Sequence, residues 1–533
     1  MRAMILAAGF GTRLKKITEK TPKPLVRIGK GKRIIDTVID NLLRANIKEI
    51  AVNLHYKAEL IENYLKEKYE SIIWKFFYEK EILGTGGGVL NAKSFFEKED
   101  DFVLINSDIL TFVDLKELIR IHRKSNALAS LVVFENQKDP KPVFYDRKNG
   151  KIISFGKDKD FEIFIKGTFT GIHIVSGKIF NFMKDESGFF SIIAIYEKII
   201  KAGKRVGAIE IDDYWKDVGT INSLKEGRED FRVFSFIEND LGEKILKVKR
   251  TFKGGSEKRV FRIETDGVSR IAVISNKEEI KSLNTLSRFF YDKKFPIPYI
   301  IKSDKKWLLT EDGGKKSLLD VVEEGRIKGF FPLELYKKAI DYLEELARVD
   351  VKLFPKDALF QRAYFDFENI IFDLKYFNKY YYKNRLSDSE IEKMAENIYS
   401  HLKKHPLSIM HRDYQSTNIL INNNGELRVI DYQTMRIGFS VYDLASLILD
   451  SYIPFEKKTI EYLKDYFFSL ETFKDYDKDV FWTAALIRVL QNLGAFGNLG
   501  RKSEFFKSKI PEAEKRLKFI LKRVKIKFSM DIL

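Results

Sequence analysis

The stretch Met410–Leu420, MHRDYQSTNIL, decides how the second half of this chain is read. Apolar residues close at Met410 and reopen at Ile419, so the polar HRDYQSTN is a loop between two short strands. Within it Asp413 and Asn418 stand five positions apart, and Asp431 follows at the end of the next apolar run, in RVIDYQ. A carboxylate to take or orient a hydroxyl proton, with a carboxamide and a second carboxylate to coordinate magnesium on ATP phosphates, is the equipment of a phosphoryl-transfer loop. Asp413 is the expected catalytic residue, and Asn418 and Asp431 the expected metal ligands.

Upstream of this loop the texture is mixed. After about Gly242 come FKGGSEKRVFRIET, RIAVIS and WLLTED, which read as antiparallel strands, and then a long helical remainder. Gly254, Gly255 and Ser256 offer a turn able to cover phosphates. RIAVISNKEE holds no lysine on its strand, so Lys258, Arg259 and Arg262 are the candidates for a cation that pairs with them, the alternative being a solvated strand face.

The first half has a different rhythm. Val/Ile-rich runs such as MRAMILAAG, KEIAVNLHY and DFVLINSDIL alternate with amphipathic stretches such as RIIDTVIDNLLRANI, which predicts an α/β, mainly parallel, doubly wound sheet. Ligands in such sheets sit at the carboxyl ends of the strands, where Gly9, Gly11 and Asp108 fall. The turn LAAGFGTRL lacks the third glycine of a dinucleotide fingerprint and the GK[ST] of a P-loop. Its glycines still let backbone N–H groups approach a phosphate. In TEKTPKPLVRIG, Pro22 and Pro24 bracket Lys23 and hold it at the mouth of the same cleft as Arg13, two cations suited to charge developing on an attacked phosphate. Asp108 and Asp217, the latter before a glycine turn in YWKDVGT, are two acidic ligands for magnesium.

A chain of 533 residues exceeds one ordinary core, and 44% hydrophobic content is that of a globular protein. The predicted organisation is a domain over 1–230, a connector over 231–242, helical because SLKEGREDFRVFSFIENDLGEK is amphipathic, and a second domain over 243–533. No apolar run nears the roughly 20 residues that span a bilayer, and the N-terminus has no signal-peptide pattern. Without cysteine there is no disulfide framework and no thiolate metal site, and a cytoplasmic location is expected. The net charge of +18 is spread along the chain among acidic residues, so basic clefts for phosphorylated small molecules are expected rather than a nucleic-acid partner.

LAAGFGTRL, TPKPLV, GTGGGV, INSDIL, FTGIHI and WKDVGT resemble, in order and spacing, the sugar-1-phosphate nucleotidyltransferases, over essentially all of residues 1–230. VNLHYKAELIENYL and GTGGGV look closest to the branch that includes N-acetylmuramate 1-phosphate uridylyltransferase and mannose-1-phosphate guanylyltransferase. The resemblance implies a Rossmann-like, GT-A-like fold. It implies that a sugar 1-phosphate oxygen attacks the α-phosphate of a nucleoside triphosphate and releases pyrophosphate. Arg13 and Lys23 would stabilise the phosphates, and Asp108 and Asp217 would hold Mg2+. Leu6, Ala8, Gly9, Gly11, Thr12, Gly86 and Gly87 would bind nucleotide, the last two against the base, and Asn106, Thr170 and Gly171 would bind sugar. Lys16 stands where the family usually has proline.

DYQ at Asp431–Gln433 in place of D-F-G, with the later YDLASLILD, resembles the aminoglycoside and choline phosphotransferases. LQNLGAFGNLGRKSEFFKSKIPEA, Leu490–Ala513, is similar to the tail of anomeric kinases acting on N-acetylmuramate and N-acetylglucosamine. The implied fold is two-lobed, kinase-like and α+β, with LLTEDGG, including Glu311, as the adenine-contacting hinge. Together the two resemblances imply a bifunctional enzyme that uses ATP and UTP, or another NTP, to convert a free amino sugar to a UDP-sugar in cell-wall recycling. The alternatives are a choline kinase fused to a phosphocholine cytidylyltransferase, a hexose kinase with a guanylyltransferase-like partner, and a non-catalytic kinase-like domain regulating the transferase.

Overall fold

The computed structural model describes the chain except residues 136–138, 140, 157–163, 252–257, 357, 358, 360, 361, 502 and 526–533. The predicted turn Gly254, Gly255 and Ser256 therefore lies outside the described residues. The chain forms two compact units, residues 1–253 with 260–270, and residues 254–259 with 271–533.

The first unit is built on a nine-stranded sheet. Ile73–Tyr78, Glu49–Leu54, Ala3–Leu6 and Asp101–Asn106 lie side by side in parallel register, with Ile5 between Val52 and Ile105. Side chains alternate between the faces along each strand. Ala3, Ile5, Val103 and Ile105 enter one apolar core, and Met4, Phe102 and Leu104 the other. A sheet with apolar cores on both faces is what short, continuous Val/Ile runs predict.

The sheet is mixed rather than mainly parallel. The long strand Ile165–Ser176 runs antiparallel to Asp101–Asn106 and to Ala129–Glu135, and Val143–Asp146 pairs antiparallel with Lys151–Phe155. The parallel expectation holds for the four strands above, which alternate with helices. Beyond them only Val206–Glu210 with Ala129–Glu135 pairs parallel among the described strands of the sheet, and Val143–Asp146 and Lys151–Phe155 are joined by the short turn at 147–150 instead of a crossover helix.

The amphipathic stretch predicted as a helical connector is the helix Ile221–Asn239, capped by Thr220, whose Oγ1 accepts from Ser223 N at 3.1 Å. The expected connector 231–242 overlaps its C-terminal half. Ile245–Arg250 pairs antiparallel with Arg259–Thr265, and Tyr214 N donates to Val248 O at 2.6 Å. Phe112, Tyr214, Phe231, Phe234 and Phe261 form an aromatic cluster there.

In the second unit Ile300–Ser303 and Trp307–Glu311 pair antiparallel, and the remainder is largely helical. Val480–Leu499 is apolar nearly all round and packs against Phe367–Tyr380, Ser440–Ile448 and Ile510–Leu521. The loop quoted first joins Ser408–Met410, paired with Arg436–Gly438, to Ile419–Ile421, paired with Leu427–Val429. Among the described residues no helix is long and apolar enough to cross a membrane.

Candidate active sites

A cleft of about 310 Å³ opens at the carboxyl ends of the parallel strands in the first unit. Leu6, Ala8, Gly9, Gly11, Thr12, Arg13, Lys23, Asn106 and Asp108 all line it. Gly11 has φ +67°, and a Cβ there would lie 3.0 Å from Lys23 Cβ, so glycine permits both the turn and the close approach of the lysine.

Lys23 does not stand at the mouth of the cleft. It is 7% exposed, held in the turn Lys23–Leu25, and its ammonium is ion-paired with Asp108. Asp217 lies on the neighbouring strand, in register with Ile109, and Val218 N donates to Asp108 O at 3.2 Å. Asp217 accepts from Gly219 N, and a Cβ on Gly219 would sit 2.6 Å from Asp217 Oδ1 and 2.7 Å from Arg13 Nη2. Both expected cations and both expected metal ligands thus share one end of the sheet.

Gly86 and Gly87 are placed differently from the expectation. Their N–H groups point to Phe190 O, and Gly84 and Thr85 line the cleft instead. Gly86 must be glycine because the Phe190 ring occupies the space of a Cβ. Thr170 is buried with Oγ1 donating to Val132 O at 2.8 Å, and Gly171, at φ +81°, is covered by the Asn106 side chain. Of the expected sugar-binding trio, only Asn106 lines the cleft.

In the second unit the loop is held from behind by two buried carboxylates. Asp443 accepts from His411 N at 2.5 Å and Arg412 N at 2.8 Å, and Asp450 accepts from Ser416 N at 3.0 Å. Burial pushes Asp443 up to about 7 against the two backbone N–H groups. His411 donates Nε2–H to Ile430 O at 3.0 Å, and burial lowers its pKa, keeping it neutral. Asn418 Nδ2 donates to Asp413 O at 2.9 Å, and Ile430 N to Asn418 O at 2.9 Å, which ties Asp413, Asn418 and Asp431 into one unit.

Asp431 has φ +63°. Burial raises its pKa, but Lys258, 2.7 Å away, and Gln433 Nε2, 2.8 Å away, outweigh this and hold it below the usual carboxylate range. Lys258 also lies 3.9 Å from Glu279. Of the three cations expected for the phosphates, Lys258 is ion-paired with Asp431. Glu311 accepts from Tyr299 N at 3.1 Å through its side chain and donates its own N–H to Tyr299 O at 3.0 Å.

Sequence reasoning missed Asp443, Asp450, Glu279 and Arg488. The two aspartates sit in the quoted YDLASLILD. Arg488 is a lone charge inside the apolar VFWTAALIRVL, a signal in itself because an unpaired charge is not tolerated there. It is 4% exposed, and Nη1 donates to Asp413 Oδ1 at 3.0 Å.

Asp108 with Asp217, and Asn418 with Asp431, are oxygen donor pairs that suit magnesium, which keeps water and substrate phosphates among its ligands. Among the described residues no group of three or more His, Asp or Glu is placed to hold a metal.

Residues 2–232 match the family described as Nucleotidyl transferase, and residues 230–479 the Phosphotransferase enzyme family. The chain joins a nucleotidyl transferase domain to a phosphotransferase domain. The nucleotidyl transferase domain is 29% identical over 233 residues to a mannose-1-phosphate guanyltransferase of Candida albicans, an alignment covering 43% of this chain and 63% of that protein. It is 28% identical over 236 residues to a UTP–glucose-1-phosphate uridylyltransferase of Synechocystis, covering 42% of this chain and 61% of that protein. The chain thus spans somewhat under two thirds of the length of these curated relatives. A solved structure of HddC from Yersinia pseudotuberculosis, complexed with GMP-PN, aligns over 43% of this chain and 99% of its own at 25% identity and a TM-score of 0.36.

Proposed function

We propose that the protein is a bifunctional enzyme. Its phosphotransferase domain phosphorylates a free amino sugar, N-acetylmuramate or N-acetylglucosamine, on the anomeric hydroxyl with ATP. Its nucleotidyl transferase domain then joins the sugar 1-phosphate to the nucleotidyl group of UTP and releases pyrophosphate. What supports the reading is that one chain matches both a nucleotidyl transferase and a phosphotransferase family, two reactions that run in sequence when the product of the second is the substrate of the first. With an amino sugar as substrate, the pathway is peptidoglycan recycling in the cytoplasm.

In the first step Asp413 accepts the proton of the attacking hydroxyl while Lys258 steadies the ATP phosphates, ADP leaving with the electron pair of the broken bond. In the second, a sugar 1-phosphate oxygen attacks the α-phosphorus in line, and Arg13 and Lys23 neutralise the charge that develops. Asp108 and Asp217 in one site, and Asn418 and Asp431 in the other, would hold magnesium, which when bound supplies Lewis-acid neutralisation of phosphate oxygens.

Purified protein given the free sugar, ATP, UTP and magnesium is expected to yield UDP-sugar and pyrophosphate. Failure of the folded protein across a panel of amino sugars would overturn the reading.

One side chain favours a second reading of the base. Glu79, 6% exposed, lines the same cleft, with Oε1 accepting from Asn53 Nδ2 at 2.7 Å and Oε2 from Leu83 N at 2.9 Å. A carboxylate only accepts, and the N1–H and 2-amino group of guanine offer it two adjacent donors. GTP is the alternative to UTP on this ground, and turnover of each nucleotide with one sugar 1-phosphate decides between them.

A further inference from the structure

Arg488 gathers three polar side chains around the phosphotransfer loop. Besides Asp413 Oδ1, it donates Nη1 to Gln491 Oε1 at 2.8 Å and Nη2 to Gln415 Oε1 at 3.3 Å. A guanidinium has donors only, so each carboxamide must turn its oxygen toward Arg488 and its NH2 group away. The arginine also occupies one oxygen of Asp413 and leaves Oδ2 for the acceptor. Gln415 and Gln491 are both partly exposed, while Arg488 itself is buried. One buried cation thereby fixes the polarity of three groups at once.

We infer that Arg488, Gln415 and Gln491 form the acceptor subsite of the phosphotransferase domain, selecting an oxygen-rich acceptor without positive charge, such as a sugar, and disfavouring a cationic alcohol. The inference rests on the kinase reading above and names the residues that select its acceptor. Two outward NH2 groups donate to hydroxyl or acyl oxygens of a polyol, whereas a quaternary ammonium can accept no hydrogen bond from them. Asp413 is neutralised by Arg488 and offers a cationic acceptor little attraction. Arg488 is a positioning residue, acting through Asp413 and the two glutamines; Gln415 and Gln491 touch the acceptor.

The test uses the full-length protein with ATP and a panel of free sugars, with choline as the cationic comparison. Gln491→Ala and Gln415→Ala are each expected to raise the acceptor KM about threefold to tenfold, the effect of one neutral hydrogen bond, with the KM for ATP unchanged. Arg488→Lys, which keeps the charge but loses the planar fork, is expected to lower kcat at least about tenfold. It should also relax discrimination against choline. Because Arg488 is buried, the melting temperature of each variant is measured beside its kinetics, and the glutamine variants carry the test should the arginine variant unfold. Sugar phosphorylation by the wild type with acceptor KM unaltered in both glutamine variants would overturn this inference alone. Choline preferred over every sugar would overturn it too. No phosphorylation of any acceptor would overturn the kinase reading and the inference with it.

Discussion

Lys258 Nζ lies 2.7 Å from Asp431 Oδ1. The strand of RIAVIS carries no lysine, and the cation beside Asp431 is instead the residue just before the strand Arg259–Thr265, 3.9 Å from Glu279. This arrangement argues against a phosphotransferase domain that only regulates its neighbour. Lys258→Ala is expected to lower kcat/KM for ATP in sugar phosphorylation on the order of 10²-fold, and to spare nucleotidyl transfer from supplied sugar 1-phosphate. Two separate assays on one preparation measure this.

Gly219 lies against both Asp217 and Arg13, the one proposed to hold magnesium and the other to neutralise phosphate. A methyl group at this position falls 2.6 Å from Asp217 Oδ1 and 2.7 Å from Arg13 Nη2. Gly219→Ala is therefore expected to displace the Arg13 guanidinium and lower nucleotidyl transfer roughly tenfold or more, leaving sugar phosphorylation intact. The pyrophosphate release rate reads the effect.

Asp443 carries the phosphotransfer loop on two N–H groups, those of His411 and Arg412. Asp443→Asn keeps one acceptor oxygen, strands a backbone donor and brings an NH2 group that has no acceptor. The expected cost is about 1–3 kcal/mol of stability, with a larger loss of kinase activity because Asp413 is the next residue along. Thermal melting and initial rates, compared with wild type, separate the two effects.

His173 is fully buried against Tyr196, with Nδ1 2.6 Å from the phenol oxygen, and burial lowers its pKa to about 3. An unfolded histidine takes up a proton below about 6.5, and the folded one refuses it until about 3. The unfolded state then binds more protons, so stability is full above about 6.5 and falls as the pH drops through that window. The loss from this residue is about 1.4 kcal/mol per pH unit. His173→Gln is expected to flatten the acid limb of unfolding relative to wild type, which denaturant titrations at pH 7, 6 and 5 measure.

What could be read in advance followed from local chemistry. Strand ends, glycine turns and the spacing of Asp413, Asn418 and Asp431 are properties of short segments, and the structure brings those three together. The positions misjudged depend on what lies across the fold. Gly86 looked like a surface for a base, but a glycine required by a neighbouring ring, here Phe190, has the same letter in the sequence. Lys23 looked like an open cation because its partner, Asp108, is 85 positions away. The antiparallel strand Ile165–Ser176 has the same composition as a parallel one, and only its connections distinguish it.

In each half of the protein a lysine and an aspartate cancel one another where nucleotide phosphates are read to bind: Lys23 with Asp108, and Lys258 with Asp431. On the proposed reading, nucleotide capture would be an exchange of partners: Asp108 and Asp431 would turn to the magnesium ion, and Lys23 and Lys258 to the phosphates, so that no charge is left stranded. A nucleotide without its metal would have to pull the lysine off and leave the aspartate bare. Sites of this kind would prefer the metal–nucleotide complex over either component alone.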